Sequence, residues 1–187
     1  MEADDKIKEM LKRAGNIHAG VNQLFDIYPY VFHLQRVLNA VLNYMDYIPE
    51  LNEYKYILTF AACYHDTIED ARLTYNDVVK EASKFLGKED AVTAAEIVYA
   101  LTNEKGRTRA ERANAKYYEG IRTTPFAVFV KMCDRLANAS YAIENGTSMA
   151  KKYRQEMPDF ISHLYNHREV DLKYTVPTEL VNDLLKL

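Results

Sequence analysis

The sequence predicts an all-α protein, and three observations carry that prediction. Only six glycines and five prolines punctuate 187 residues. No stretch sustains the period-two alternation of a half-buried strand. Apolar residues recur instead at spacings of three and four, the period of a helix with one buried face. At about 100–200 residues per domain, the length fits a single compact domain spanning 1–187. A content of 48% hydrophobic and 27% charged residues is an ordinary globular balance.

The elements follow in order. Residues 4–17 read as an amphipathic helix with Ile7, Met10, Leu11 and Ala14 on one stripe, and 19–30 as a connection rich in Asn, Gly and aromatic residues. A helix over 31–46 carries Val31, Leu34, Val37, Leu38, Val41, Leu42 and Met45 on its apolar face. The next, over 51–66, is almost continuously apolar at Ile57–Tyr64 and is predicted to be central. Thr74 caps a helix over 75–86 that Gly87 ends, and another follows at 89–102. The charged passage Asn103–Arg112 reads as a solvated face. Thr124 and Pro125 supply a cap and a first-turn proline for a helix running to about Glu144, where Asn145-Gly146 stops it. Thr147 caps a long helix to about Asn166, kinked or broken at Pro158, and a short helix follows in the tail after 170.

Charge and composition exclude several classes of function. A net charge of −3 and a pI near 6.0 leave no general electrostatic footprint for nucleic acid or acidic lipid. No apolar run reaches the ~18 residues of a membrane span. The amino terminus is charged from Glu2 onward, unlike a signal peptide. Cys63 and Cys133 are too few for a disulfide framework and read as small buried hydrophobes. The expectation is a cytoplasmic protein with reduced thiols and no membrane or nucleic-acid partner; the oligomeric state stays open, a homo-oligomer included.

Chemistry concentrates in His65-Asp66-Thr67-Ile68-Glu69-Asp70. At roughly 100° per helical residue, His65, Asp66, Glu69 and Asp70 fall within about 140° of one another. One imidazole and three carboxylates on one face repel unless a cation neutralises them; the other reading is a helix end facing solvent. His33 begins the apolar face of its helix, and Asp134 lies at the end of the apolar run Phe126–Cys133, where a lone carboxylate is costly. His33 alone reads as a core histidine, and Asp134 could pair with Lys131 or Arg135. Together, His33, His65, Asp66 and Asp134 offer two nitrogens and two oxygens to a divalent ion, with positions left for water and substrate. His163 and His167 stand four apart on the last long helix, without a carboxylate at ligand spacing, and read as surface or core residues.

The order His, His-Asp, Asp resembles the signature of the HD-domain metal-dependent phosphohydrolases. The finer resemblance is to the pyrophosphohydrolase domain of RelA/SpoT proteins and their small stand-alone relatives, which remove the 3′-pyrophosphate of ppGpp. Four stretches carry it: Ile17-His18-Ala19-Gly20 with Pro29-Tyr30 and His33; His65 to Asp70; Leu101 to Lys105; and Lys131-Met132-Cys133-Asp134-Arg135-Leu136-Ala137-Asn138. The likeness spans about 10–165 and implies an HD-domain helical bundle. It further implies that His33, His65, Asp66 and Asp134 hold one metal, commonly Mn²⁺, and that Glu69 and Asp70 orient or deprotonate water. Asn138 would contact the nucleotide and Lys105 would reach its phosphates; Arg154, a cation of the last long helix, is a candidate for the phosphates by its charge alone. One departure stands out. The loop before His33 reads Val21 to Tyr28 and lacks the basic residues that help those relatives hold ppGpp. Arg107, Arg109 and Lys152 are further candidates for the phosphates, and Phe25 or Tyr28 for stacking on the base. An HD-type nucleotidase acting on another (deoxy)nucleotide, and a non-catalytic nucleotide-binding module, are the alternative readings.

Overall fold

The computed structural model describes residues 3–103, 106–165 and 171–187. It is an all-α single unit: α1 (Ala3–Gly20), α2 (Val31–Met45), α3 (Lys55–Tyr64), α4 (Tyr75–Ala82), α5 (Lys88–Leu101), α6 (Arg109–Arg112), α7 (Ala115–Thr123), α8 (Ala127–Glu144), α9 (Met149–Leu164) and α10 (Thr178–Lys186). Short 3₁₀ turns occupy Pro49–Tyr54 and Leu172–Tyr174. A two-residue hairpin, β1 (Leu24–Phe25) with β2 (Tyr28–Pro29), pairs Phe25 with Tyr28.

At the centre, α2 packs on both α3 and α8. Leu34, Leu58, Phe60 and Met132 are fully buried there, each worth about 1.5–3 kcal/mol relative to exposure. Around this core, α1 lies against α2 and α3, α5 against α3 and α8, and α9 against α8. Close approach of α1 to α2 depends on Gly15, where a Cβ would come within 2.9 Å of Val31 Cγ2. Cys63 and Cys133 are buried free thiols, as expected. No described helix is long and apolar enough to cross a membrane.

Local signals explain most boundaries. Thr74 and Asp77 form a reciprocal capping box at the start of α4. At the end of α8, Gly146 takes φ +60°, its N–H donates to the Ile143 carbonyl, and the Thr147 N–H reaches the Ala142 carbonyl. This is the double bond of a Schellman stop.

Several expectations need correction. The helix predicted over 51–66 is a 3₁₀ turn followed by α3, and it ends at Tyr64, so His65–Asp70 lies in successive turns. α4 ends at Ala82, before the predicted 86. Within the connection 19–30, α1 persists to Gly20 and the hairpin follows. α7 arises where no helix was predicted, with the Asn114 side chain accepting from the Tyr117 N–H. Thr124 does not cap α8: its hydroxyl donates back to the Gly120 carbonyl at 2.8 Å, closing α7. α8 opens instead after Phe126, held at φ +66° with its ring buried. α9 begins after Ser148, not on a Thr147 cap, and runs through Pro158 to Leu164. Asn166 lies outside the described residues.

Candidate metal centre

Three elements of the central layer each deliver ligand atoms to one point. α2 supplies His33 from its first turn, the turn after α3 supplies His65 and Asp66, and α8 supplies Asp134. The turn after α3 has a local cause. Thr67 donates through its hydroxyl to the Tyr64 carbonyl at 2.7 Å, while the Asp70 N–H reaches the Asp66 carbonyl at 2.8 Å. A hydroxyl bonded back to the preceding turn competes with helix continuation. The chain still turns tightly enough for Asp66 and Asp70 to face the same side.

His33 Nε2 and His65 Nε2 lie 3.2 Å apart. Asp66 Oδ2 is 2.7 Å from His65 Nε2 and 3.6 Å from His33 Nε2. Asp134 Oδ1 is 3.3 Å from His33 Nε2 and 3.6 Å from His65 Nε2. Ligand atoms sharing one ion at about 2.0–2.2 Å stand about 3–3.6 Å from their neighbours. His33, His65 and Asp66 form a cluster in which every pair of ligand atoms falls within 4.8 Å. His33 and His65 are buried, each 1% exposed.

Each ligand is oriented from behind. His65 Nδ1 donates to the Ala62 carbonyl at 2.8 Å, which directs Nε2 toward the cluster. Lys131 Nζ donates to Asp134 Oδ2 at 2.9 Å, and Asn138 Nδ2 donates to Asp134 Oδ1 at 2.6 Å. The Tyr30 hydroxyl lies 2.6 Å from Asp66 Oδ2 and 3.2 Å from Asp70 Oδ2, donating to one at a time. Phe25 stacks on the His33 ring, with centroids 4.7 Å apart.

The electrostatics call for a cation. Burial works against charge on His65, yet Asp66 and Asp134 outweigh it and push its pKa up to about 10. Burial likewise opposes the Asp134 carboxylate, but Lys131 and the two imidazoles hold it well below the usual range. Two carboxylates converging on two facing ring nitrogens demand positive charge, which imidazole protons or a divalent ion supply. The donor set fits a divalent ion, and this chain therefore has a site able to hold a metal.

Above the cluster is a cavity of about 280 Å³. Asp70 lines it, its pKa pushed up to about 6 by burial and by Asp66 and Glu69. Glu69 also lines it, but its carboxylate accepts from Asn103 Nδ2 at 3.0 and 2.9 Å and lies 3.6 Å from Arg112 Nη1. Asn138 faces the same space. Among the described residues, the predicted cations Arg107, Lys152 and Arg154 do not line this cavity. The Arg154 Nε donates to the Leu187 carbonyl at 2.6 Å and does not line the cavity, which corrects its assignment to the substrate. Lys105, the Arg109 side chain and His167 lie outside the described residues. The cavity's described cations are Arg112, Lys131 and Arg135.

Sequence reasoning raised the Lys131–Asp134 pair, which the structure contains, but missed the roles of Tyr30, Asn103 and Arg112. Tyr30 stands three residues before a predicted ligand, a spacing that could have found it. Asn103 and Arg112 carry no such signal. His163 packs on Tyr118 with centroids 4.6 Å apart, and its Nδ1 meets the Asp159 carbonyl. Tyr28 stacks on Phe32, so both hairpin rings serve packing. Compared with protein-family models, curated proteins and solved structures, the chain finds no match in any of the three.

Proposed function

We propose that this chain is a metal-dependent phosphohydrolase acting on a nucleotide. One observation carries the reading: four potential ligands converge from three elements, and Asp70 and Asn138 share the cavity they open into. The group of choice is a divalent ion such as Mn²⁺ held by His33, His65, Asp66 and Asp134. When bound, it supplies Lewis-acid polarisation of a phosphoryl oxygen and acidification of water. Asp70 takes the proton of the attacking water at its carboxylate, a role matched by a pKa near 6. Tyr30 and Gln23, whose Nε2 lies 3.3 Å from Asp70 Oδ2, hold that carboxylate in position. Glu69, bound to Asn103 and Arg112, orients the wall rather than the proton. Asn138 and Arg112 meet the phosphate oxygens.

The resemblance in the sequence makes ppGpp, hydrolysed to GDP and pyrophosphate, the first substrate of this reading. A specific observation favours the second, an HD-type nucleotidase. The loop before His33 forms a hairpin with Asp26 and no cation, and two of the cavity's described cations are committed, Lys131 to Asp134 and Arg135 to Glu156. Incubation with ppGpp and a panel of nucleoside monophosphates plus Mn²⁺ separates the two. Pyrophosphate from ppGpp supports the first, and orthophosphate from a monophosphate the second. Nucleotide binding with no release overturns the hydrolase in favour of a regulatory module.

A further inference from the structure

The metal cavity shares a wall with a second cavity of about 450 Å³, and Ala113, Tyr118, Arg135 and Phe160 line both. The second space adds Lys152, Glu156, Asp159 and His163. Its combined character differs from that of its neighbour. Tyr118 and His163 present rings tilted 33° to each other, and the Arg135 guanidinium sits 4.2 Å from the Phe160 ring centroid and 3.1 Å from Glu156. Among the described lining residues, Arg135 and Lys152 balance Glu156 and Asp159. A polyphosphate gains no net attraction in such a space, whereas a neutral planar ring gains stacking surface and carboxylate acceptors for its N–H groups.

On the opposite side the metal cavity adjoins a smaller space of about 240 Å³ across Asn138 and Tyr153, bounded by Phe25, Asp26 and Tyr141. Phe25 lies against His33 and, at 4.9 Å, against Tyr141, whose hydroxyl donates to Asp26 at 2.6 Å. The space beside Tyr118 and Phe160 is nearly twice as large, at about 450 Å³ against about 240 Å³, and is the roomier berth for a group attached to a phosphate at the cluster. The size is right as well, since small-molecule sites run to about 300–1,000 Å³.

We infer that this second cavity is the nucleoside subsite: it receives the base of a substrate whose phosphate lies at the metal cluster. The inference rests on the reading of the chain as a nucleotide phosphohydrolase. The base stacks against Tyr118 and His163, with its ring or exocyclic N–H groups toward Asp159. Lys152, one of the cations the sequence offered for phosphate, borders the base instead.

The test is binding of unphosphorylated adenosine, guanosine, cytidine and uridine to the metal-loaded full chain, followed by NMR titration. At least one nucleoside binds the wild type. His163→Ala, on an exposed position, weakens that binding roughly 5- to 100-fold, the range for loss of a base–aromatic stack. Ala113→Trp, which fills the shared wall, abolishes it. Both variants still bind one metal ion, which reports an intact fold. Absence of nucleoside binding in the wild type, or equal binding in both variants, overturns the subsite. The two claims fail separately. Nucleotide turnover with KM unchanged in both variants sinks the subsite and leaves the hydrolase standing. Nucleoside binding that the variants lose, in a protein that hydrolyses no nucleotide, sinks the hydrolase and leaves the subsite.

Discussion

The floor and the far wall of the metal cavity are built on different terms. The floor comes from α2, the end of α3 and α8, which pack on one another through fully buried side chains, and backbone or buried polar partners hold His65, Asp66 and Asp134. The far wall, which includes Asn103, Arg112 and Ala113, is held through exposed or half-buried side chains: Asn103 and Arg112 meet Glu69, and Glu111 accepts from the backbone N–H groups of Arg107 and Thr108. A site built on packed elements keeps ligand geometry to a fraction of an ångström, whereas a wall hung on surface hydrogen bonds can change with little effect on stability. On the proposed reading, the comparison predicts that metal binding and substrate choice are separable.

The largest expected effect lies at the floor. His65→Ala removes a nitrogen that lies within 3.6 Å of each of the other three candidate ligand atoms, and metal and turnover are lost together, as they are with chelator. Turnover by this variant in excess chelator breaks the account of the floor. Next is the proton acceptor. Asp70→Asn leaves the four ligands in place, so metal still binds while kcat falls on the order of 10²–10⁴-fold. Glu69→Gln, acting through Asn103 and Arg112, raises KM more than it lowers kcat. Equal kcat losses in both variants would erase the distinction between them.

A smaller effect sharpens the wall. Arg112→Ala raises KM about tenfold with kcat little changed, the scale of one hydrogen bond to a charged group. Arg154→Ala leaves KM unmoved, because Arg154 is bonded to the Leu187 carbonyl outside the cavity. Steady-state kinetics with whichever nucleotide is turned over reads both.

The smallest effect lies behind the floor and concerns stability. His18 is buried, stacks on Tyr30 at 4.3 Å, and has neither ring nitrogen in a hydrogen bond. Burial lowers its pKa to about 4 from an ordinary 6.5. The unfolded chain therefore binds this proton more readily, and stability falls as pH drops from 6.5 toward 4, by up to about 3 kcal/mol. His18→Phe keeps the shape and flattens that decline in urea titrations at pH 7.5 and 5. An equally steep decline in the variant assigns the loss to other groups.

Much of this was legible in the sequence because periodicity and misplaced charge are local signals. The apolar spacing of Leu34, Val37 and Val41 locates α2, and Asp134 after an apolar run marks a buried carboxylate beside His33 and His65. The hairpin was not legible, since strands of two residues show no alternation. α7 hides because only Tyr117 and Ile121 are buried in it, within a run of polar residues. Turns at 65–70 were read as helix because Thr67 ends α3 through its side chain, an effect that residue spacing does not register. The second cavity was invisible for a different reason. Tyr118, Arg135 and Phe160 come from three helices that only tertiary packing brings together, and singly each looks like an ordinary surface or core residue.

The central claim is that the floor is a metal centre, and Mn²⁺ titration of the full chain by isothermal calorimetry tests it most directly. The account predicts one ion per chain for the wild type, with none for His33→Ala or His65→Ala under the same conditions. An ion that binds the folded state alone also raises the melting temperature of the wild type. Binding of the same single ion by both variants, or no binding by the wild type, would contradict it.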